Sequence, residues 1–175
     1  NNKKQVYKRE AFEVIEALEL EQEANGYKTP VDHLNSSRKD RYRQTIIHLF
    51  NLLWLSDKYK EEETRLTRLI CNTKAIPWYD KCMLITALTL SFFRHFDSQK
   101  IMALFEFYTK AEHQVWQRAL VGLIIGLYLY DSRLPFYPEV KNSLQSFQGD
   151  KKAEINVEAI IIQILREKET ERITK

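Results

Sequence analysis

The chain has 175 residues, 44% of them hydrophobic and 29% charged, an ordinary balance for a globular protein and enough for one domain with a sizeable core. The net charge is +3, from 27 basic and 24 acidic residues, and so small an excess does not argue for nucleic acid or an anionic membrane as the partner. Only four glycines and four prolines interrupt the chain, which favours long helices over a turn-rich sheet.

Residues 3–24 read as a first helix, with Tyr7, Ala11, Val14 and Leu18 on one face and Glu10, Glu13, Glu16 and Glu19 along a solvated edge. Gly26 ends it. Residues 25–36, with Asn25-Gly26, Pro30 and Ser36-Ser37, read as a loop, so that 1–36 form a leading helix and loop ahead of a helical array over 37–175.

The array begins with a helix over 37–57. Tyr42, Ile46, Leu49 and Leu53 mark one face, and Ile47, Phe50 and Trp54 widen it, so it needs cover from more than one side. A shorter partner follows over 60–73, with Glu61, Glu62 and Glu63 in the first turn, where the helix dipole favours acids, and Leu66, Leu69 and Ile70 as its stripe. Pro77 suits the first turn of the next helix, 77–95, which carries Trp78, Cys82, Ile85, Leu88 and Phe92. Asp97 is a natural N-cap for 98–110, whose stripe is Ile101, Leu104, Phe105 and Tyr108.

A third pair spans 113–131 and 138–148. Val115, Ala119, Leu123, Ile124 and Leu127 line its first member, and Tyr137, Val140, Leu144 and Phe147 line its second, which follows Pro135 and Pro138. Gly149-Asp150 breaks the chain. A last helix, about 152–172, is expected to bury Val157, Ile160, Ile161, Ile164 and Leu165. The chain starts at Asn1 and not Met, and stops inside a charged helix, which reads as a fragment of a longer protein.

These pairs repeat. Ile47, Ile85, Leu123 and Ile161 are equally spaced, as are Ile46, Leu84, Gly122 and Ile160, with a period of about 38 residues. In each pair the first helix is the longer and more apolar one. The expected fold is all-α: a right-handed α-solenoid of about three antiparallel helix pairs plus terminal helices.

On that period and pattern, residues 38–172 resemble the helical-repeat superfamily of HEAT, armadillo and tetratricopeptide-like proteins. The period exceeds the 34 residues of tetratricopeptide repeats and is nearer the roughly 40 of HEAT repeats. Trp116 has Ala119-Leu120 where the tetratricopeptide signature wants Leu-Gly, and Trp116 to Leu123 looks more like the first helix of a HEAT unit. The resemblance implies a non-enzymatic scaffold that binds another protein, or another domain of the same parent chain. It also implies that the second helices line a concave face. Arg65, Arg68, Glu106, Lys110 and Gln145 are then the candidate contact residues.

Several motifs have a structural reading. The longest nearly apolar run, Ala119 to Tyr130, has 12 residues, short of the roughly 20 of a membrane span, and reads as a core helix. Within it Gly122-Leu-Ile-Ile-Gly126 costs helix propensity, about 1 kcal/mol per glycine, so a neighbouring backbone or bulky ring needs the room. Trp54, Trp78 and Trp116 are expected in the core, with Trp78 and Trp116 in equivalent places. Cys71 and Cys82 read as buried free thiols. Arg38-Lys39-Asp40-Arg41-Tyr42-Arg43 reads as a solvated, partly ion-paired face. His95 with Asp97, and His113 with Glu112, are the nearest approach to acid–base pairs, and no nucleophile accompanies them.

No spacing of Cys and His suits zinc, and no glycine-rich loop suits phosphate. No enzyme activity, cofactor or metal is expected. No signal peptide is visible, and the expected location is cytoplasmic. Two other readings stay open. One is a nucleic-acid-binding or DNA-repair module, which needs Arg65, Arg68, Lys110 and Lys141 to converge near exposed aromatics. The other is a spacer that forms homo-oligomers through its uncapped terminal helices.

Overall fold

The computed structural model describes residues 2–26, 30–145 and 147–174, and these are helical with no strand among them. Eight α-helices follow one another: α1 (Asn2–Asn25), α2 (Ser36–Leu55), α3 (Glu61–Asn72), α4 (Trp78–Arg94), α5 (Ser98–Lys110), α6 (His113–Leu129), α7 (Pro138–Gln145) and α8 (Lys151–Thr174). Short 3₁₀ turns at Pro30–His33 and Asp131–Phe136 fall in stretches expected to be irregular. The described helices include none long and apolar enough to cross a membrane.

The helix ends follow from local chemistry. Asn35 accepts from the Arg38 N–H at 2.9 Å and starts α2 one residue earlier than the Ser36-Ser37 pair suggested. Asp97 caps α5 through the Gln99 N–H at 3.0 Å. Asp150, read from sequence only as part of a break, accepts from the Ala153 N–H at 3.3 Å at the start of α8. Pro77 takes the capping position of α4, and Trp78 is the first helical residue. Gly26 follows α1 with φ +66, where a Cβ would be strained.

Helix α4 packs between α2 and α6. The three run the same way. At their starts Tyr42 of α2 donates to Asp80 of α4 at 2.6 Å, and the Cys82 thiol of α4 lies on the Gln114 carbonyl of α6. At their ends Arg94 reaches the Trp54 carbonyl and Tyr130 reaches the Phe93 carbonyl. Helix α5 packs against α3, α4, α6 and α7, while α1 runs antiparallel to α2 and also touches α3. One core connects them all, from Ala11, Ile15 and Leu18 of α1 through Leu53, Ile85, Leu88 and Phe92 to Val140 of α7.

Two features of this packing are specific. The ring of Phe92 on α4 lies on Gly126, and Thr89 lies on Gly122, so the glycine pair lets α6 approach α4 where any Cβ would collide. The second is Lys100, fully buried, whose ammonium donates to the carbonyls of Asp57 at 2.8 Å, Ser91 at 3.2 Å and His95 at 3.5 Å. These carbonyls close the C-terminal ends of α2 and α4, where the helix dipoles favour a cation. Burial pulls the Lys100 pKa down to about 8.

Three expectations fail. Trp116 is buried, but Trp78 is 46% exposed and Trp54 also reaches solvent, so the tryptophans are not equivalent core residues. Ile47, on the widened face of α2 that was expected to be covered, is 48% exposed. On α8 the stripe divides: Val157, Ile160 and Ile164 are half-buried, while Ile161 and Leu165 are exposed. In each case the helix is apolar on more sides than its neighbours cover.

Candidate binding grooves

Two of the grooves among the described residues lie along the α3/α5/α7 and α4/α6 seams. The first, of about 400 Å³, lies where α3, α5 and α7 meet. Met102, Ala103, Phe105 and Phe147 contribute apolar surface, and Arg68, Glu106 and Lys110 supply charge. Glu106 accepts from Lys110 at 2.8 Å and lies 3.5 Å from Arg68, so one carboxylate serves two cations. Three of the five candidate contact residues therefore come together here. Arg65 does not join them: its guanidinium stacks 4.9 Å from the Phe12 ring of α1. Gln145 is exposed on α7 outside the groove lining.

The second groove, of about 560 Å³, lies between the N-terminal halves of α4 and α6. Its walls are Trp78, Tyr79, Cys82, Met83 and Thr86 on one side and Gln114, Gln117, Arg118 and Val121 on the other. Tyr79 is 50% exposed and packs edge-on to Trp78, with ring centroids 5.9 Å apart. The spacing explains the shape. Residues 79, 82, 83 and 86 form one helical ridge, residues 114, 117, 118 and 121 form another, and parallel helices leave a furrow between such ridges. Arg118 forms no ion pair among the described residues. Nearby Glu112 is taken by Lys81 at 2.8 Å, and Asp80 by the Tyr42 hydroxyl.

Sequence reasoning placed Trp78 in the core, because helical spacing alone does not tell an apolar face that meets a neighbour from one that meets water. A signal was present: α4 carries aromatic or apolar side chains at Trp78, Tyr79 and Met83 in addition to its Leu84, Leu88 and Phe92 stripe.

Both cysteine thiols are held toward their protonated form. Burial pushes the Cys71 thiol up to about 11, and burial also raises Cys82 against the opposing pull of Arg118. Both cysteines are free. His95 does not pair with Asp97; its Nε2 lies 3.3 Å from Asp57, while Asp97 accepts from the backbone N–H groups of Tyr59 and Gln99. Glu112 pairs with Lys81, and the His113 side chain lies outside the described residues. The basic run at the start of α2 is answered by α1, where Glu21 pairs with Arg38 and Glu13 with Arg41, and Arg43 turns to Asp40. Among the described residues no group of three or more His, Cys, Asp or Glu is arranged to hold a metal.

Comparison with known proteins gives no match: no protein-family model, no curated protein and no solved structure is similar to this chain.

Proposed function

We propose that this chain is a non-enzymatic scaffold of HEAT- or tetratricopeptide-like helical repeats, arranged as an α-solenoid, that binds another protein or another domain of its parent chain. The observation that carries this reading is the α4/α6 groove, where Trp78, Tyr79 and Met83 are exposed together beside Arg118, which touches the Cys82 thiol but forms no ion pair among the described residues. Trp, Tyr, Met and Arg are the residues enriched where proteins bind one another, and charge-depleted aromatic patches supply most of the binding energy.

The repeat reading has support of its own. Tyr42 bonds Asp80 and the Tyr59 N–H bonds Asp97, each across 38 positions, the spacing of the sequence columns. Such contacts join corresponding points of successive units. A nucleic-acid reading needs free basic residues on one face, whereas Arg68 and Lys110 share Glu106 and Arg65 rests on Phe12.

The test is affinity capture at two salt concentrations, with wild type, the Trp78→Ala/Tyr79→Ala double variant and the Arg68→Glu/Glu106→Lys variant. A defined protein retained at high salt by wild type and lost by either variant supports the scaffold. Nucleic acid that co-elutes and disappears at high salt overturns it.

A second reading, self-association, is favoured by α8, which leaves Ile155, Ile161, Ile162 and Leu165 in solvent. Light scattering over a concentration series checks it: a constant monomer mass at high concentration removes it.

A further inference from the structure

We infer that the α4/α6 groove receives an amphipathic helix of the partner protein, one that presents apolar side chains to Trp78, Tyr79, Met83 and Val121 and a carboxylate to Arg118. The inference rests on the protein-binding reading above and narrows it to one face and one kind of ligand.

Three observations lead to it. The first is the backbone of the groove. Past their first turns both walls are helix interior, with N–H and C=O groups committed to their own ladders, and only N–H groups at the helix starts, those of Trp78, Tyr79 and Gln114, lack an intrahelical acceptor. An extended peptide brings an unpaired donor and acceptor with every residue, and here it meets almost no backbone to answer them. The hydroxyl of Thr86 already donates to the Cys82 carbonyl at 2.9 Å, which leaves the Tyr79 hydroxyl, the amides of Gln114 and Gln117 and the Arg118 guanidinium, side chains too few and too scattered to answer an extended backbone residue by residue. A helix brings its backbone already satisfied, and buries only side chains.

The second is size. One wall runs from 78 to 86 and the other from 114 to 121, about 10–12 Å of helix rise. That length matches two turns of a ligand helix, which offer apolar residues at i, i+3 or i+4, and i+7.

The third is charge. Among the lining residues Arg118 is the sole ionic side chain, and it forms no ion pair among the described residues. The acids nearest in sequence, Asp80 and Glu112, are engaged elsewhere. A guanidinium at the rim of an apolar furrow selects a carboxylate, rejects a cation, and fixes the register of the ligand. In the other groove both cations, Arg68 and Lys110, are already engaged by Glu106.

The test uses two displayed libraries against the full chain: one randomises the exposed face of a helix in a small helical scaffold, the other displays linear peptides. Affinities of enriched clones are then measured on wild type, Trp78→Ala, Arg118→Glu and Arg68→Glu, each first shown to unfold at the wild-type temperature. The expected winners are helices with apolar residues at i and i+4 and a flanking Asp or Glu. Their affinity falls about tenfold or more on Trp78→Ala and about fivefold on Arg118→Glu, and is unmoved by Arg68→Glu. Replacing the acid of the winner by Lys restores binding to the Arg118→Glu variant.

Winners that ignore Trp78 and Arg118 but respond to Arg68 overturn this inference and leave the protein-binding reading standing. Proline-containing linear peptides enriched at the groove overturn the helical ligand alone. No enriched binder in either library overturns both readings.

Discussion

The ring of Phe92 fills the volume that a side chain on residue 126 would need, so the α4–α6 contact depends on Gly126 having none. Gly126→Ala gains about 1 kcal/mol of helix propensity, yet forces the Phe92 ring, itself packed on Phe96 and Tyr130, out of place. The expected net loss is about 1–2 kcal/mol, read by denaturant unfolding. Gly122→Ala adds a Cβ whose nearest atoms all belong to Thr89, whose hydroxyl is buried without a hydrogen-bond partner among the described residues. Its loss is smaller, and Thr89→Val is neutral or slightly stabilising because it removes an unsatisfied polar group at nearly constant shape.

Lys100 makes stability depend on pH in an unusual direction. Its folded pKa, about 8, lies below its ordinary 10.5. Between these values the unfolded chain binds the proton that the folded chain has released, so this group adds stability as pH rises through the window. Below pH 8 both states are charged and the burial cost is fully present. Lys100→Met is expected to lose about 1–3 kcal/mol at pH 7, because the Asp57 and Ser91 carbonyls lose their donor. The gap between wild type and variant then widens from pH 8 to 10. A gap that narrows over this range refutes the assignment. Chemical unfolding of the two proteins in parallel cancels the other titrating groups.

Lys8 holds α1 on the array. Its ammonium lies 2.6 Å from Glu63 and 2.7 Å from Glu62, and both the Lys8 and Glu63 side chains are nearly buried. Lys8→Met leaves Glu63 uncompensated and is expected to cost about 3 kcal/mol. Glu62→Gln, at an exposed carboxylate, changes stability little. Hydrogen exchange locates the effect: in Lys8→Met the amides of Ala11, Ile15 and Leu18 lose protection while those of α4 and α6 keep it. Uniform loss across all helices instead shows that α1 unfolds only with the whole domain.

Much of the architecture was legible beforehand, for reasons internal to each segment. The 3.6-residue periodicity of Leu66, Leu69 and Ile70 or of Ile101, Leu104 and Phe105 makes a helix of either stretch, and Gly26 and Asp97 end and begin helices through their own backbone and side-chain chemistry. The glycine pair announced a close approach because glycine inside a helix costs stability that only packing returns. Contact residues were harder. Arg68, Glu106 and Lys110 meet because α3 and α5 run side by side, but Arg65, three positions from Arg68, turns to Phe12 of α1.

The sequence by itself determined the helices, their approximate ends and the need for a close approach at Gly122 and Gly126, since these depend on spacing and residue type along one stretch of chain, whereas the structure supplied α4 as the helix that approaches. Only the tertiary structure decided exposure. Trp116 is buried and Trp78 open, Ile85 is buried and Ile47 open, and Lys100 is enclosed at the ends of two helices. A side chain meets solvent or core according to which distant segment packs over it, and long-range packing of that kind leaves no mark on local periodicity.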